Sequence, residues 1–200
     1  DVIATVSQVI QSPDAPDGEG VTTAEIDWTP VIEGLTPEKD RLASAVPHDQ
    51  HAIFFPSFAA MLTMMDESAA RGTPVLRLLE PRSEDAQTRE RYERQLCLGV
   101  DELSRLLGPK LVASVACTGS DPYLRTGSDI AILFEARNPA VLAGAIAARQ
   151  AVAMQGNAER VSGTVAGTAY QGVVGPRRTI SSYLAESGGI VIVSNSLVQL

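Results

Sequence analysis

The sequence predicts an α+β domain: a largely antiparallel sheet of five to seven strands with helices packed on one face. Three observations carry that prediction. Apolar residues recur at helical spacing over 58–70, 84–107 and 140–155. From Val161 onward, short β-branched runs are separated by turn residues about ten positions apart, which favours antiparallel pairing. Helices stand between hairpins instead of alternating strictly with single strands, which argues against a doubly wound sheet.

The elements follow in order. Residues 2–10 are rich in Val, Ile and Thr and read as a strand. Residues 11–40 mix Pro13, Pro16, Pro30, Pro37, Gly18, Gly20 and Gly34 with acids, the composition of an irregular arm. Within it, 25–28 can form a short edge strand with Trp28 docking, and 37–42 can start a helix capped by Thr36. The arm is assigned to 1–46 and the α+β body to 47–200. His51–Phe55 reads as a buried strand ended by Pro56, and Ser57 caps the helix over 58–70, with Phe58, Met61, Leu62 and Met65 on its core stripe. Gly72 is a natural stop. Val75–Leu79 is an apolar run of undecided type. Residues 84–107 read as one charged helix, its core stripe Tyr92, Leu96, Gly99 or Val100, Leu103 and Leu107, terminated by Gly108-Pro109. Strands are expected at 111–117 and 129–136, and Asn138-Pro139 opens the Ala-rich helix 140–155. The meander comprises Val161–Val165, Thr168–Val174, Thr179–Ala185 and Ile190–Ser194. The final Ser194-Asn195-Ser196-Leu197 reads as a strand end, a capping Asn195 or Ser196 and the start of an apolar helical run, so the body is expected to be truncated at its C-terminus and to come from a longer protein.

Charge narrows the partners. The net charge is −8, yet residues 1–40 hold nine acids against the single base Lys39, and the rest is balanced. A neutral body with a negative arm suits no phosphate backbone, so nucleic acid is excluded as an expected partner. No apolar run reaches the roughly 18 residues of a membrane helix. Two cysteines support neither a disulfide framework nor a four-cysteine zinc site. A chain this long buries roughly 70% of its unfolded surface and needs no metal to fold. No cofactor is expected, and the expected partners are other domains of the parent chain or an unknown protein.

One stretch looks like chemistry. Residues 119–133 run from Gly119-Ser120 to Ser128-Asp129-Ile130-Ala131 and resemble the signature of the nucleotidyltransferase superfamily. There a Gly-Ser turn follows one strand, and a strand carrying two carboxylates one residue apart comes about ten residues later. The resemblance implies a phosphate cradle at Gly119 and Ser120 and a metal ligand at Asp129. Two carboxylates at that spacing share one face of a strand and can hold Mg²⁺ against a triphosphate. Here the second position is Ala131, which cannot ligate a metal. The degenerate form of that family, binding nucleotide through Gly119, Ser120 and Asp129, is therefore the alternative to an ordinary hairpin loop.

The other candidates read as structure. His48 and His51 flank a strand entry, and no catalytic or metal-binding residue is assigned among them. Cys97 and Cys117 read as buried thiols, with their bonding open, and Cys117 before Thr118-Gly119-Ser120 only superficially resembles a nucleophile on a turn. Arg177-Arg178 reads as turn surface that can hold an anion, Tyr123 and Arg125 as loop packing, and Met61, Met64 and Met65 as core. Finally, residues 52–58, 121–129, 182–185 and 193–197 together resemble a family of exported bacterial proteins of unassigned function. That resemblance covers roughly 47–200. It implies an α+β body within a larger extracytoplasmic chain and no catalytic residues.

Overall fold

The computed structural model describes residues 27, 29–35, 39–72, 87–122, 124 and 127–200. The expected strand at 2–10, most of the edge strand at 25–28, the Thr36 cap, the run Val75–Leu79, the start of the 84–107 helix, Tyr123 and Arg125 lie outside them. The chain forms two compact units, Asp1–Glu38 and Lys39–Leu200. In the first, Thr29–Ile32 is one helical turn, entered through the Asp27 carboxylate, which accepts from the Thr29 N–H at 3.0 Å.

The second unit is built on a seven-stranded, wholly antiparallel sheet. Strand β1 (His51–Phe55) pairs with β2 (Val112–Gly119), which forms a hairpin with β3 (Ile130–Ala136). β4 (Glu159–Val165), β5 (Thr168–Val174), β6 (Ser181–Ser187) and β7 (Ile190–Ser194) form a meander whose last strand returns to β3. The order is therefore β1-β2-β3-β7-β6-β5-β4. Two tight turns need left-handed backbone at both central residues: Ala166-Gly167 (φ 48° and 86°) and Gly188-Gly189 (φ 58° and 83°).

The helices cover one face. α1 (Phe58–Glu67) is capped by Ser57, whose hydroxyl accepts from the Ala60 N–H at 3.1 Å, and buries Phe58, Met61 and Leu62. A π-turn extends it over Ser68–Gly72. α4 (Pro139–Ala153) starts at the Asn138 cap with Pro139 in its first turn. Its Gln150 is 4% exposed and donates to the Ser182 carbonyl at 3.1 Å, while the Ser182 hydroxyl donates to the Leu96 carbonyl at 2.7 Å. One buried chain of hydrogen bonds thus ties two helices to β6. The core beneath comprises Phe55, Val115, Ile130, Phe134, Leu184, Val191 and Val193 from the sheet, with Phe58, Leu62, Leu96, Leu142 and Ile146 above.

The expected helix over 84–107 is two helices. α2 (Thr88–Leu96) stops where Cys97 turns left-handed, and α3 (Glu102–Leu111) starts afresh at Asp101. There Asp101 and Ser104 form a reciprocal capping box, the Ser104 N–H reaching Asp101 at 2.8 Å. The restart changes the phase of the stripe. Leu103 and Leu107, expected in the core, are 61% and 38% exposed. Nor does Gly108-Pro109 end the helix, which runs on to Leu111. Gly108 is buried against the Phe58 ring, and a Cβ there would stand 2.5 Å from Phe58 Cδ1. Packing against α1 holds the last turn despite the proline.

β1 is an edge strand, not a buried one: Ile53 and Phe54 are 56% and 39% exposed. The sheet's other face is covered at its centre by a 3₁₀ turn, Arg41–Ala45, capped by Asp40. Leu42 from this turn is fully buried against Ala116, Ala131, Leu133 and Ile190. Arg41 fastens the turn, donating to the Gly188 carbonyl at 2.8 Å and pairing with Glu135 at 3.5 Å. Residues 39–46, assigned to the arm from the sequence, thus pack within the second unit.

Candidate functional site

A pocket of about 530 Å³ opens at one end of the sheet. Four segments supply its wall. α2 gives Arg91, Tyr92 and Gln95, and the β2–β3 loop gives Ser120, Asp121 and Gly127–Asp129. The β5–β6 turn gives Arg178, and the residue after β7 is Asn195.

Buried hydrogen bonds hold the rim. Tyr92 projects from the core side of α2, and its hydroxyl accepts from the Ser128 N–H at 2.8 Å and donates to the Leu124 carbonyl at 3.2 Å. Of the two candidate caps, Asn195 and Ser196, Asn195 reaches sideways across the sheet. Its Oδ1 accepts from the Ile130 N–H at 2.8 Å, and its Nδ2 donates to the Ser128 carbonyl at 2.9 Å and to Gln95 Oε1 at 3.1 Å. Gln95 Nε2 donates to the Arg178 carbonyl at 3.1 Å. The cap of the terminal 3₁₀ turn Leu197–Gln199 is Ser196. The Arg91 guanidinium lies 5.2 Å from the Tyr92 ring centroid and also donates to the Leu124 carbonyl. The amides and the phenol are thus spent on backbone, fixing the loop against α2 and β7.

Charge in the pocket is mixed: Arg91 and Arg178 face Asp121 and Asp129. Among the described residues, no hydrogen bond or ion pair engages the Asp129 carboxylate or the Arg178 guanidinium. Arg177 and Arg178 both take left-handed backbone, at φ 53° and 54°.

The structure brings some of the singled-out residues together. Ser120 and Asp129 share the pocket, joined through the Ser120 N–H, which donates to the Asp129 carbonyl at 3.1 Å. Gly119 ends β2 just behind them, and a Cβ there would stand 2.9 Å from that carbonyl oxygen. No helix starts at the Gly-Ser turn among the described residues. Ala131 is fully buried on the second face beside Leu42, and its neighbours across the sheet are Thr118 and Ser194. Neither is an acid. His51 pairs with Gly119 from β1 and, like His48, is exposed. Cys97 and Cys117 are free thiols. Cys117 packs beneath the helices, and burial pushes its thiol up to about 11; burial also raises Cys97, against a weaker opposing hydrogen bond from Ser182. Met61 is buried and Met65 packs on the core, while Met64 is 45% exposed. No group of three His, Cys, Asp or Glu able to hold a metal occurs among the described residues.

Sequence reasoning did not find Gln95 or Asn195, because a polar residue within a charged helix reads as solvated surface and one beside a strand end reads equally well as a cap. It placed Tyr92 in the core, where its ring is, without its hydroxyl's role. Two of the stretches behind the exported-family resemblance, 121–129 and 193–197, meet here through Asn195. No family model matches the chain, and neither does any curated protein or solved structure.

Proposed function

We propose that this chain is a non-catalytic structural or interaction domain of a larger, extracytoplasmic bacterial protein, recognising another domain of its parent or a separate protein. The observation that carries the reading is Ala131. The position where a metal-holding carboxylate would be required is instead packed with hydrocarbon under Leu42. A charge there would need both room and a partner, and the neighbouring Thr118 and Ser194 supply neither charge nor a free lone-pair cluster. The Tyr92 hydroxyl and the Asn195 and Gln95 amides hold backbone, which suits a rigid recognition rim better than a reacting centre. The extracytoplasmic setting is supported by the exported-family resemblance of 47–200. No helix among the described residues is long and apolar enough to cross a membrane.

A second reading, a degenerate nucleotidyltransferase-like domain that binds nucleotide, is favoured by the meeting of Ser120 and Asp129 with Arg91 and Arg178 in one pocket. Thermal denaturation with millimolar ATP and Mg²⁺ separates the two. Nucleotide at a hundred times its Kd would add about 2.7 kcal/mol to stability. The interaction-domain reading expects no shift. A reproducible stabilisation that disappears in Asp129→Ala would replace it with the nucleotide reading.

A further inference from the structure

The polar groups around the pocket fall into two sets. The Asn195 and Gln95 amides and the Tyr92 hydroxyl are committed to backbone and to each other, and Arg91 is tied to the Leu124 carbonyl. The Asp129 carboxylate, the Arg178 guanidinium and the Ser120 hydroxyl line the same space, and among the described residues nothing engages them. The sheet sets their order. β3, β7 and β6 are neighbours. Asp129 stands at the entrance to β3, Asn195 just past the end of β7, and Arg178 in the turn leading into β6. Asn195 bonds the Ser128 carbonyl on one side and Gln95 on the other, and Gln95 holds the Arg178 carbonyl. An acid and a base thus stand at opposite ends of a fixed amide bridge. β3 and β6 lie two strand spacings apart, roughly 10 Å, which leaves room for a ligand between the two charges.

We propose that this pocket binds a small zwitterion, a free amino acid or a short peptide, with its carboxylate on Arg178 and its ammonium on Asp129. The proposal goes beyond the interaction-domain reading, which concerns contacts with whole domains. Three properties select the ligand. The first is size: about 530 Å³ falls within the roughly 300–1,000 Å³ of small-molecule sites. The second is charge. Arg91 and Arg178 balance Asp121 and Asp129, so a polyanion such as a triphosphate would meet two carboxylates, and a polycation two guanidinium groups. A ligand with one charge of each sign is neutralised at both ends. The third is the geometry of the two unengaged groups. The planar Arg178 guanidinium matches a carboxylate through two parallel N–H···O bonds, and the Asp129 carboxylate accepts from an ammonium, which carries three donors. The Ser120 hydroxyl supplies a neutral contact beside Asp129, where the Ser120 N–H already holds the Asp129 carbonyl at 3.1 Å.

Thermal melting of the full chain with each standard amino acid, and with a set of di- and tripeptides, at millimolar concentration tests this. N-acetylated and C-amidated forms of the same compounds are the controls, with ATP and Mg²⁺ alongside. The expected result is a saturable stabilisation by unblocked compounds, with affinity falling roughly tenfold or more when either end is blocked. Stabilisation by free amino acids identifies those as the ligand, and stabilisation by peptides alone identifies chain ends. Asp129→Asn should weaken binding and remove the sensitivity to acetylation, and Arg178→Gln should weaken it and remove the sensitivity to amidation. Both variants should melt like the parent without ligand, because neither side chain holds any part of the fold. No response to any compound, an equal response to blocked and unblocked forms, or full affinity in both variants overturns the proposal. The interaction-domain reading survives each of those results, whereas a stabilisation by ATP that Asp129→Ala removes overturns both.

Discussion

Asn195 joins three parts of the pocket rim: the start of β3 through the Ile130 N–H, the loop through the Ser128 carbonyl, and α2 through Gln95. Asn195→Ala leaves the Ile130 N–H without a partner in a buried position, at a cost of about 1–3 kcal/mol. Urea denaturation measures it, and a loss under about 0.5 kcal/mol would mean the network is not structural. Cys117 makes a second residue-scale test. With its thiol pushed to about 11 by burial, it is protonated at neutral pH. Alkylation of the native protein at pH 7 should therefore proceed roughly two orders of magnitude more slowly at Cys117 than in the unfolded chain. Peptide mapping over time reads the rate, and rapid native labelling would revive a nucleophilic role. At this scale, sequence legibility depends on whether a residue's partner is near in the chain. Ser57 and Asn138 cap the helices immediately following them, and both were readable. The partners of Asn195 lie 65 to 100 positions away, and no local pattern announces them.

Among the elements, the break between α2 and α3 has the largest effect. The segment from Cys97 to Val100 lacks a proline, and Gly99 alone is a weak stop signal, so the helical pattern reads straight through it. The Asp101 capping box restarts the helix and leaves Leu103, Leu106 and Leu107 facing solvent. Its energetics can be followed by pH. The Ser104 hydroxyl and N–H, with Arg149 adding to them, hold the Asp101 carboxyl at about 2, below the unfolded value near 3.9. A folded value below the unfolded one stabilises the protein fully above about pH 4, and that stabilisation is lost as pH falls through about 2. Asp101→Asn keeps a capping oxygen but no longer titrates, so the stability gap between it and the parent should narrow over that window. Because Asp101 is solvent-exposed, the change should be no more than about 1 kcal/mol. Denaturation curves at stepped pH provide the check, and a gap constant from pH 5 to 2 would contradict it. The strands were more legible than the helices because β2, β3 and the meander carry β-branched runs between turn residues. What the sequence did not show was that β1 lies at an edge, since an apolar run reads the same whether or not a neighbour covers it.

At the largest scale, the described residues of the second unit form a sheet with helices on one face and the turn around Leu42 on the other. Leu42→Ala should cost about 2–5 kcal/mol, as for other fully buried leucines, because the cavity opens onto Ala116 and Ala131, which are too small to fill it. Chemical denaturation measures the loss, and a cost below about 1 kcal/mol would show that the second face is not a packed core. The antiparallel α+β architecture was readable from turn spacing and helical periodicity, but this cover was not. Residues 39–46 hold no proline and only one acid, Asp40, but they directly follow the acidic, proline-rich stretch, and composition cannot reveal that a leucine there is inserted into a sheet. The unlike edges carry a consequence of their own. β4 carries Glu159 and Arg160 along one margin of the sheet, while β1 at the other margin carries Ile53 and Phe54. A sheet open at both margins could add strands without limit, whereas one guarded margin closes that route.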